Sequence, residues 1–344
     1  MVLKEDPQDQ AGTQLVGQIL ELATGFMQTQ AIHVAADLGI ADLLKDGPKS
    51  ADELAAMTGA HGPSLYRLLR ALASVDIFAE IDQGVFRQTP LGTTLQLDHP
   101  LSVQPLAHLV GDPSWWRSWG SLSHAIKTGE PAIEHVFDMH LFDYLGQHPQ
   151  TASVFNAWMT RLSQMTDPAL VSSYDFSGFK QVVDVGGGHG SFLITILQAN
   201  PALKGVLFDL PEVVSTVDLN GAPLADRCEI VGGDFFSSLP AGGDAYVLKQ
   251  ISHDWHDDSC IEILRNCHEA MTANGRLLVI DAVLPSDNAP DINKFIDLQM
   301  LVLTHGGKER TEAELRSLFK AGGFQLTRII PTPTLFKIIE GKRK

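Results

Sequence analysis

The stretch Val182-Val183-Asp184-Val185-Gly186-Gly187-Gly188-His189-Gly190 constrains this chain more than any other. An apolar strand runs straight into a glycine turn, and a helix restarts near Ser191. Glycine is needed at such a turn because side chains would hold the backbone away from a ligand. Downstream of Lys180, extended segments at 182–185, 205–208, 228–232, 245–249 and 276–280 alternate with helical ones at 191–198 and near 259–271. That alternation predicts an α/β domain built on a doubly wound parallel sheet, whose ligands lie beyond the C-terminal ends of the strands.

The part before Lys180 follows different rules. Between residues 11 and 101, Leu15, Ile19, Leu22 and Phe26 recur at helical spacing, Ser50 precedes Asp52-Glu53-Leu54 as a helix cap, and Leu65, Leu68, Leu69 and Leu72 form one apolar stripe. A hairpin comes next, with strands at 77–81 and 85–88 around Asp82-Gln83-Gly84. Helices followed by a hairpin form the pattern of a winged helix, which in other proteins binds DNA. Charge argues against that use here. Basic residues up to position 100 are Lys4, Lys45, Lys49, Arg67, Arg70 and Arg87, outnumbered by acids, and the whole chain carries a net charge of −16. Such a balance repels polyphosphates and anionic lipid, so neither nucleic acid nor a membrane is expected as partner. The module reads instead as a dimerisation element, because a lone copy would expose Leu15, Ile19 and Leu22.

We therefore place a mostly helical winged-helix dimerisation domain at 1–105 and a second domain at 106–344. The latter comprises a helical segment, 106–178, and a Rossmann-like core, 179–344. Within the helical segment, Trp115, Trp116, Trp119, Phe137, Phe142, Tyr144, Phe155 and Trp158 suit either plain core or the wall of an aromatic pocket. Cys228, Cys260 and Cys267 form no CxxC and read as reduced thiols. A polar, acidic start at 1–14 and the lack of any apolar run of ~20 residues lead us to expect a cytoplasmic protein.

Three strand ends carry a nucleotide signature. The glycine turn lacks the third glycine of GxGxxG, since Ser191 stands there, but fits DxGxGxG at Asp184, Gly186, Gly188 and Gly190, which favours S-adenosylmethionine over a dinucleotide. Asp209, 19 residues beyond Gly190, can accept hydrogen bonds from both ribose hydroxyls, although dinucleotide enzymes place an acid similarly. Gly232-Gly233-Asp234-Phe235-Phe236 offers a carboxylate and a ring to an adenine, the plainer reading of Asp234 being a turn former. His253 falls just past the strand at 245–249, where an imidazole can take the proton of an attacking hydroxyl. Asp281 and Glu309 are candidates to orient it. Against them stand a simple turn for Asp281 and local pairing with Lys308 or Arg310 for Glu309.

Taken in order, VVDVGGGHGSFL, FDLPEVV, GGDFF, LKQISHDWHDDSC, DAVLP and GGKERTEAEL resemble the caffeate/hydroxyindole type of small-molecule O-methyltransferases over nearly the whole chain. The resemblance implies a class I methyltransferase fold and transfer of a methyl group from S-adenosylmethionine to a hydroxyl of a small aromatic acceptor. S-adenosylhomocysteine leaves, and no metal is needed. By that likeness Gly186 and Gly188 line the cofactor loop, Asp209 and Leu210 hold the ribose, Asp234 and Phe235 flank adenine, and Lys249 sits near the methionine side. It makes His253 the general base with Asp281 and Glu309 as its acids, Asp281 standing where plant members usually carry Glu. Phe155, Trp158, Met159, Asp254 and Met300 resemble acceptor-binding positions, and a homodimer through the first domain is implied. Three rival readings remain: a relative that uses the bound cofactor for decarboxylation, hydroxylation or pericyclic chemistry, a ligand-sensing winged-helix regulator, and an NAD-dependent dehydrogenase.

Overall fold

The computed structural model describes residues 7–217 and 224–344, so the first residues of the acidic start, Lys4 among them, lie outside the described residues. The chain divides into two compact units: residues 1–116 with 150–161, and residues 117–149 with 162–344. The sequence places that boundary between 105 and 106.

In the first unit a long helix, Pro7–Asp37, precedes three short strands and several shorter helices. Its buried core gathers Ala35, Ile40, Leu44, Leu54, Leu65, Leu69, Leu72, Phe78 and Phe86. Strands β1 (Lys49–Ser50), β2 (Phe78–Asp82) and β3 (Val85–Gln88) form a sheet in the order β1-β3-β2, with helices Ala51–Thr58 and Gly62–Ala73 between β1 and β2. Ser50 caps its helix in a reciprocal box with Glu53, which satisfies two amides that otherwise lack partners. Leu15, Ile19, Leu22 and Phe26 stay exposed along the first helix.

The second unit holds a seven-stranded sheet. Its strands are β4 (Gln181–Val185), β5 (Lys204–Asp209), β6 (Cys228–Gly232), β7 (Ala245–Lys249), β8 (Arg276–Asp281), β11 (Phe324–Pro331) and β12 (Lys337–Arg343), in spatial order β11-β12-β8-β7-β4-β5-β6. The five strands read from the sequence pair in parallel. Strands β11 and β12, not read there, pair antiparallel with each other and β12 antiparallel with β8, so the sheet is mixed. The reason is the link: only residues 332–336 join β11 to β12, too few for the crossover that parallel neighbours require. Val182, Val183, Val185, Val247, Leu277 and Ile280 are fully buried, as expected of strands covered on both faces.

A separate two-stranded pair fixes the segment that carries Glu309. Strand β9 (Val283–Leu284) lies parallel to β10 (Arg310–Thr311), with Arg310 opposite Val283. Thr311 then caps helix Glu312–Ala321 in a second reciprocal box with Glu314. Among the described residues no helix is long and apolar enough to cross a membrane. We expect Thr311→Ala to cost about 1 kcal/mol of unfolding free energy, the usual worth of such a cap, measurable by urea denaturation at unchanged slope.

Candidate functional site

Strand order reverses at β4: the chain moves outward through β5 and β6, then returns to lay β7 against the other side of β4. A crevice opens at the carboxyl ends of strands where order reverses. The carboxyl ends of β4, β5, β6, β7 and β8 all belong to that edge: the turns after β4, β6 and β7 carry Gly186–Gly190, Asp234 and His253, while Asp209 and Asp281 are the last residues of β5 and β8.

The glycine turn is built for backbone approach. Gly186, Gly188 and Gly190 have φ of 69°, 56° and 80°, values that side chains rarely tolerate. A Cβ on Gly186 would fall 2.5 Å from Ile251 Cδ1 and 3.7 Å from Phe235 Cε1, so glycine here lets Ile251 pack against the turn with the Phe235 ring close by. Asp209 accepts hydrogen bonds from the Gly188 amide and the Leu210 amide, both at 2.7 Å. Asp234 accepts from the Phe236 amide at 2.9 Å, the turn geometry considered from sequence. Phe235 also meets Trp255 edge to face, with ring centroids 6.0 Å apart.

Beneath the turn lies a surplus of negative charge. Asp184 is buried, and its Oδ2 has no hydrogen-bond partner among the described residues. Burial pushes its carboxyl up to about 7; Lys249 opposes the rise, while Asp167 and Asp209 add to it. Lys249 itself is committed, its ammonium donating to Asp167 at 2.6 Å and to Ser163 at 2.9 Å. An unpartnered buried carboxylate oxygen below a glycine cradle suits a ligand that brings positive charge and lacks bulk at the turn. The sulfonium and ammonium of S-adenosylmethionine meet both conditions.

The second half of the site surrounds His253, in the 3-10 turn Ser252–Asp254 directly after β7. Its Nδ1 lies 2.9 Å from Glu309 Oε1, and its Nε2 lies 3.7 Å from Asp254 Oδ1. Burial would pull the imidazole down, yet the charges of Asp254, Glu309 and Asp281 outweigh it and raise the ring to about 10. Asp281 makes no hydrogen bond to the ring; its Oδ2 accepts from the Ser252 hydroxyl, and its Oδ1 has no partner among the described residues. Burial pushes this carboxyl up to about 7, against the pull of His253. Met300 is buried in helix Asn293–Leu303 of the same unit. Phe155, Trp158 and Met159 group with the first unit, where Phe155 stacks obliquely on Trp115 at 5.8 Å.

Residues not singled out from sequence hold this arrangement. Arg310 has a local reading only as a partner of Glu309, but its buried guanidinium pairs with Asp257 and donates to the Ser252 and Trp255 carbonyls at 2.6 and 2.8 Å. Glu309 is thereby left to His253. The Lys308 amide donates to the His253 carbonyl at 2.8 Å, and the Glu309 amide to Asp297 at 2.8 Å. Gly307 permits that approach, because a Cβ there would stand 2.5 Å from the His253 carbonyl oxygen. Asp167 and Ser163 give no signal of their own in sequence, because the aromatics dominate the pattern of their helix, Pro149–Ser172.

Asp254 supplies the strongest of the charges that raise His253. Asp254→Asn should therefore lower the imidazole pKa, and the rising limb of kcat/KM against pH should move down by ~1–3 units. A limb that stays in place would mean that Asp254 does not tune the ring.

Residues 119–325 match the model of an O-methyltransferase domain, and residues 20–98 match an O-methyltransferase dimerisation domain. The chain is 44% identical to the phenazine O-methyltransferase PhzM of Lysobacter antibioticus, over 94% of this chain and 95% of that one. It is 34% identical, over 98% and 96%, to an 8-amino-8-demethylriboflavin N,N-dimethyltransferase of Streptomyces davaonensis. The S-adenosylhomocysteine-bound structure of CalO1, a methyltransferase of calicheamicin biosynthesis, superposes with a TM-score of 0.86 at 35% identity, covering 99% of this chain and 100% of that one.

Proposed function

We propose, since this chain belongs to the S-adenosylmethionine-dependent O-methyltransferase family, that it methylates a hydroxyl of a small aromatic metabolite with His253 as general base. The observation that carries this reading is the His253–Glu309 pair at the carboxyl end of β7. A carboxylate on Nδ1 fixes the tautomer and stabilises the imidazolium, and because the ring is raised to about 10, Nε2 can take the acceptor's proton only in the fraction of chains whose ring has lost its own, a fraction that grows with pH. An oxygen acceptor needs such a base more than an amine does, because a neutral amine is already a good nucleophile whereas a hydroxyl becomes one only as it loses its proton.

When bound, S-adenosylmethionine supplies a methyl group already activated by its sulfonium. The chain's own residues would then bind, align and dry the reacting groups. Gly186 and Gly188 would offer backbone to the cofactor, Asp209 and Leu210 would take its ribose, and Asp234 and Phe235 its adenine. Lys249 would act through the Asp167 pair it already makes, leaving Asp184 as the counter-charge for the ligand's cationic groups. Met300 and Asp254 would contact the acceptor beside His253. Asp281 would work through Ser252, the residue preceding the base, and not on the ring itself. Alignment alone can lower the barrier by roughly 7–11 kcal/mol at most, so proton removal is only part of the rate.

His253→Gln should retain cofactor affinity in calorimetry and lower turnover of a phenolic acceptor by ~100-fold or more, the scale of general-base catalysis. Unchanged turnover would remove His253 from the mechanism. The dimerisation domain and the exposed Ile19 and Leu22 support a homodimer in the same reading. Sedimentation should show two copies for the parent chain and one for the double variant Ile19→Glu, Leu22→Glu; a parent that sediments as a monomer would reject it.

A further inference from the structure

A neutral imidazole carries one N–H and cannot donate from both nitrogens. In the first unit, His33 nevertheless faces an acceptor at each. Its Nδ1 lies 3.1 Å from the Ala107 carbonyl oxygen, and its Nε2 lies 3.3 Å from Asp37 Oδ2. With the Nδ1 proton given to the carbonyl, Nε2 presents a lone pair toward the carboxylate, an arrangement of two ligand atoms that a metal ion can bridge.

The neighbouring residues favour the metal. His108 brings Nδ1 to 2.6 Å from the other oxygen of Asp37, and the ligand atoms of all three residues lie within 4.8 Å of one another. A tetrahedral ion with bonds of about 2.0–2.1 Å holds adjacent ligand atoms about 3.3–3.4 Å apart. The Nε2 to Oδ2 separation of 3.3 Å is already such an edge, whereas His108 and Asp37, in direct hydrogen-bond contact at 2.6 Å, would have to part to admit the ion. The bond from His33 Nδ1 to a backbone carbonyl is the outer contact that orients a metal-ligating histidine. Space for the ring is also reserved, since a Cβ on Gly111 would fall 2.0 Å from His33 Cγ. Asp37 is half-exposed while the His33 side chain is 17% exposed. An ion could thus enter from solvent and retain a water as fourth ligand.

We propose that His33, Asp37 and His108 bind one divalent transition-metal ion of the zinc class, clamping the last turn of helix Pro7–Asp37 to helix Gln104–Gly111. Two imidazoles and a carboxylate are the borderline donor set that suits zinc over magnesium or calcium. The ion's role is structural. It lies in the first unit, which carries the dimerisation domain.

The test uses the full chain, stripped with chelator and titrated with Zn2+ by calorimetry and with Co2+ by visible absorption. One equivalent should bind, with a tetrahedral cobalt spectrum and a raised Tm. His108→Ala, at a partly exposed position, and Asp37→Ala should each weaken binding by more than the ~10–100-fold typical of losing an outer contact. His140→Ala serves as control, because Glu134, His140 and His305 form another, more exposed cluster in the second unit, and this variant should keep the equivalent. The proposal falls if the parent binds no ion. It falls equally if His140→Ala abolishes binding while His108→Ala and Asp37→Ala do not.

Discussion

Strand β4 has β5 on one side and β7 on the other, so the connections that leave β4 and β7 diverge and open a crevice above their carboxyl ends. Everything chemical in the second unit depends on that reversal. It puts a glycine turn, three aspartates and an imidazole, drawn from five strands, along one edge of one sheet. Because β4, β5, β7 and β8 are buried through most of their length, that edge is firmly held, and the groups proposed for catalysis inherit that rigidity.

Electrostatics divides the edge into two halves. Around the glycine turn, Asp167, Asp184 and Asp209 outnumber Lys249, and one buried oxygen of Asp184 has no partner among the described residues. Around His253, three carboxylates crowd a single imidazole. Both halves therefore favour positive charge, the first on an incoming ligand and the second on the chain's own ring. A sulfonium cofactor fits the first requirement, and a base that becomes an imidazolium fits the second.

Much of this is legible locally. The strand, glycine and helix sequence from Val182 to Gln198, the hairpin at Asp82–Gly84 and the Ser50 cap are encoded within a few residues, where pattern and backbone chemistry act directly. What escapes is long-range. Arg310 reaches Asp257 and Lys249 reaches Asp167 across separations of 53 and 82 residues, and no local pattern announces either pair. Asp281 is recognisable as an acid near the base, but its hydrogen bond to Ser252 depends on how β8 sits beside β7. The final hairpin escapes because β11 fits the alternation of strands and helices only until β12 doubles back.

The Arg310 brace has one more consequence. A guanidinium does not titrate in the range where imidazoles and carboxylates do. The scaffold around residues 252–255 is thus fastened by a charge that acidity cannot switch off, while the ring it carries gains and loses its proton. A change of medium can therefore discharge His253 while the Arg310 contacts that hold its turn persist.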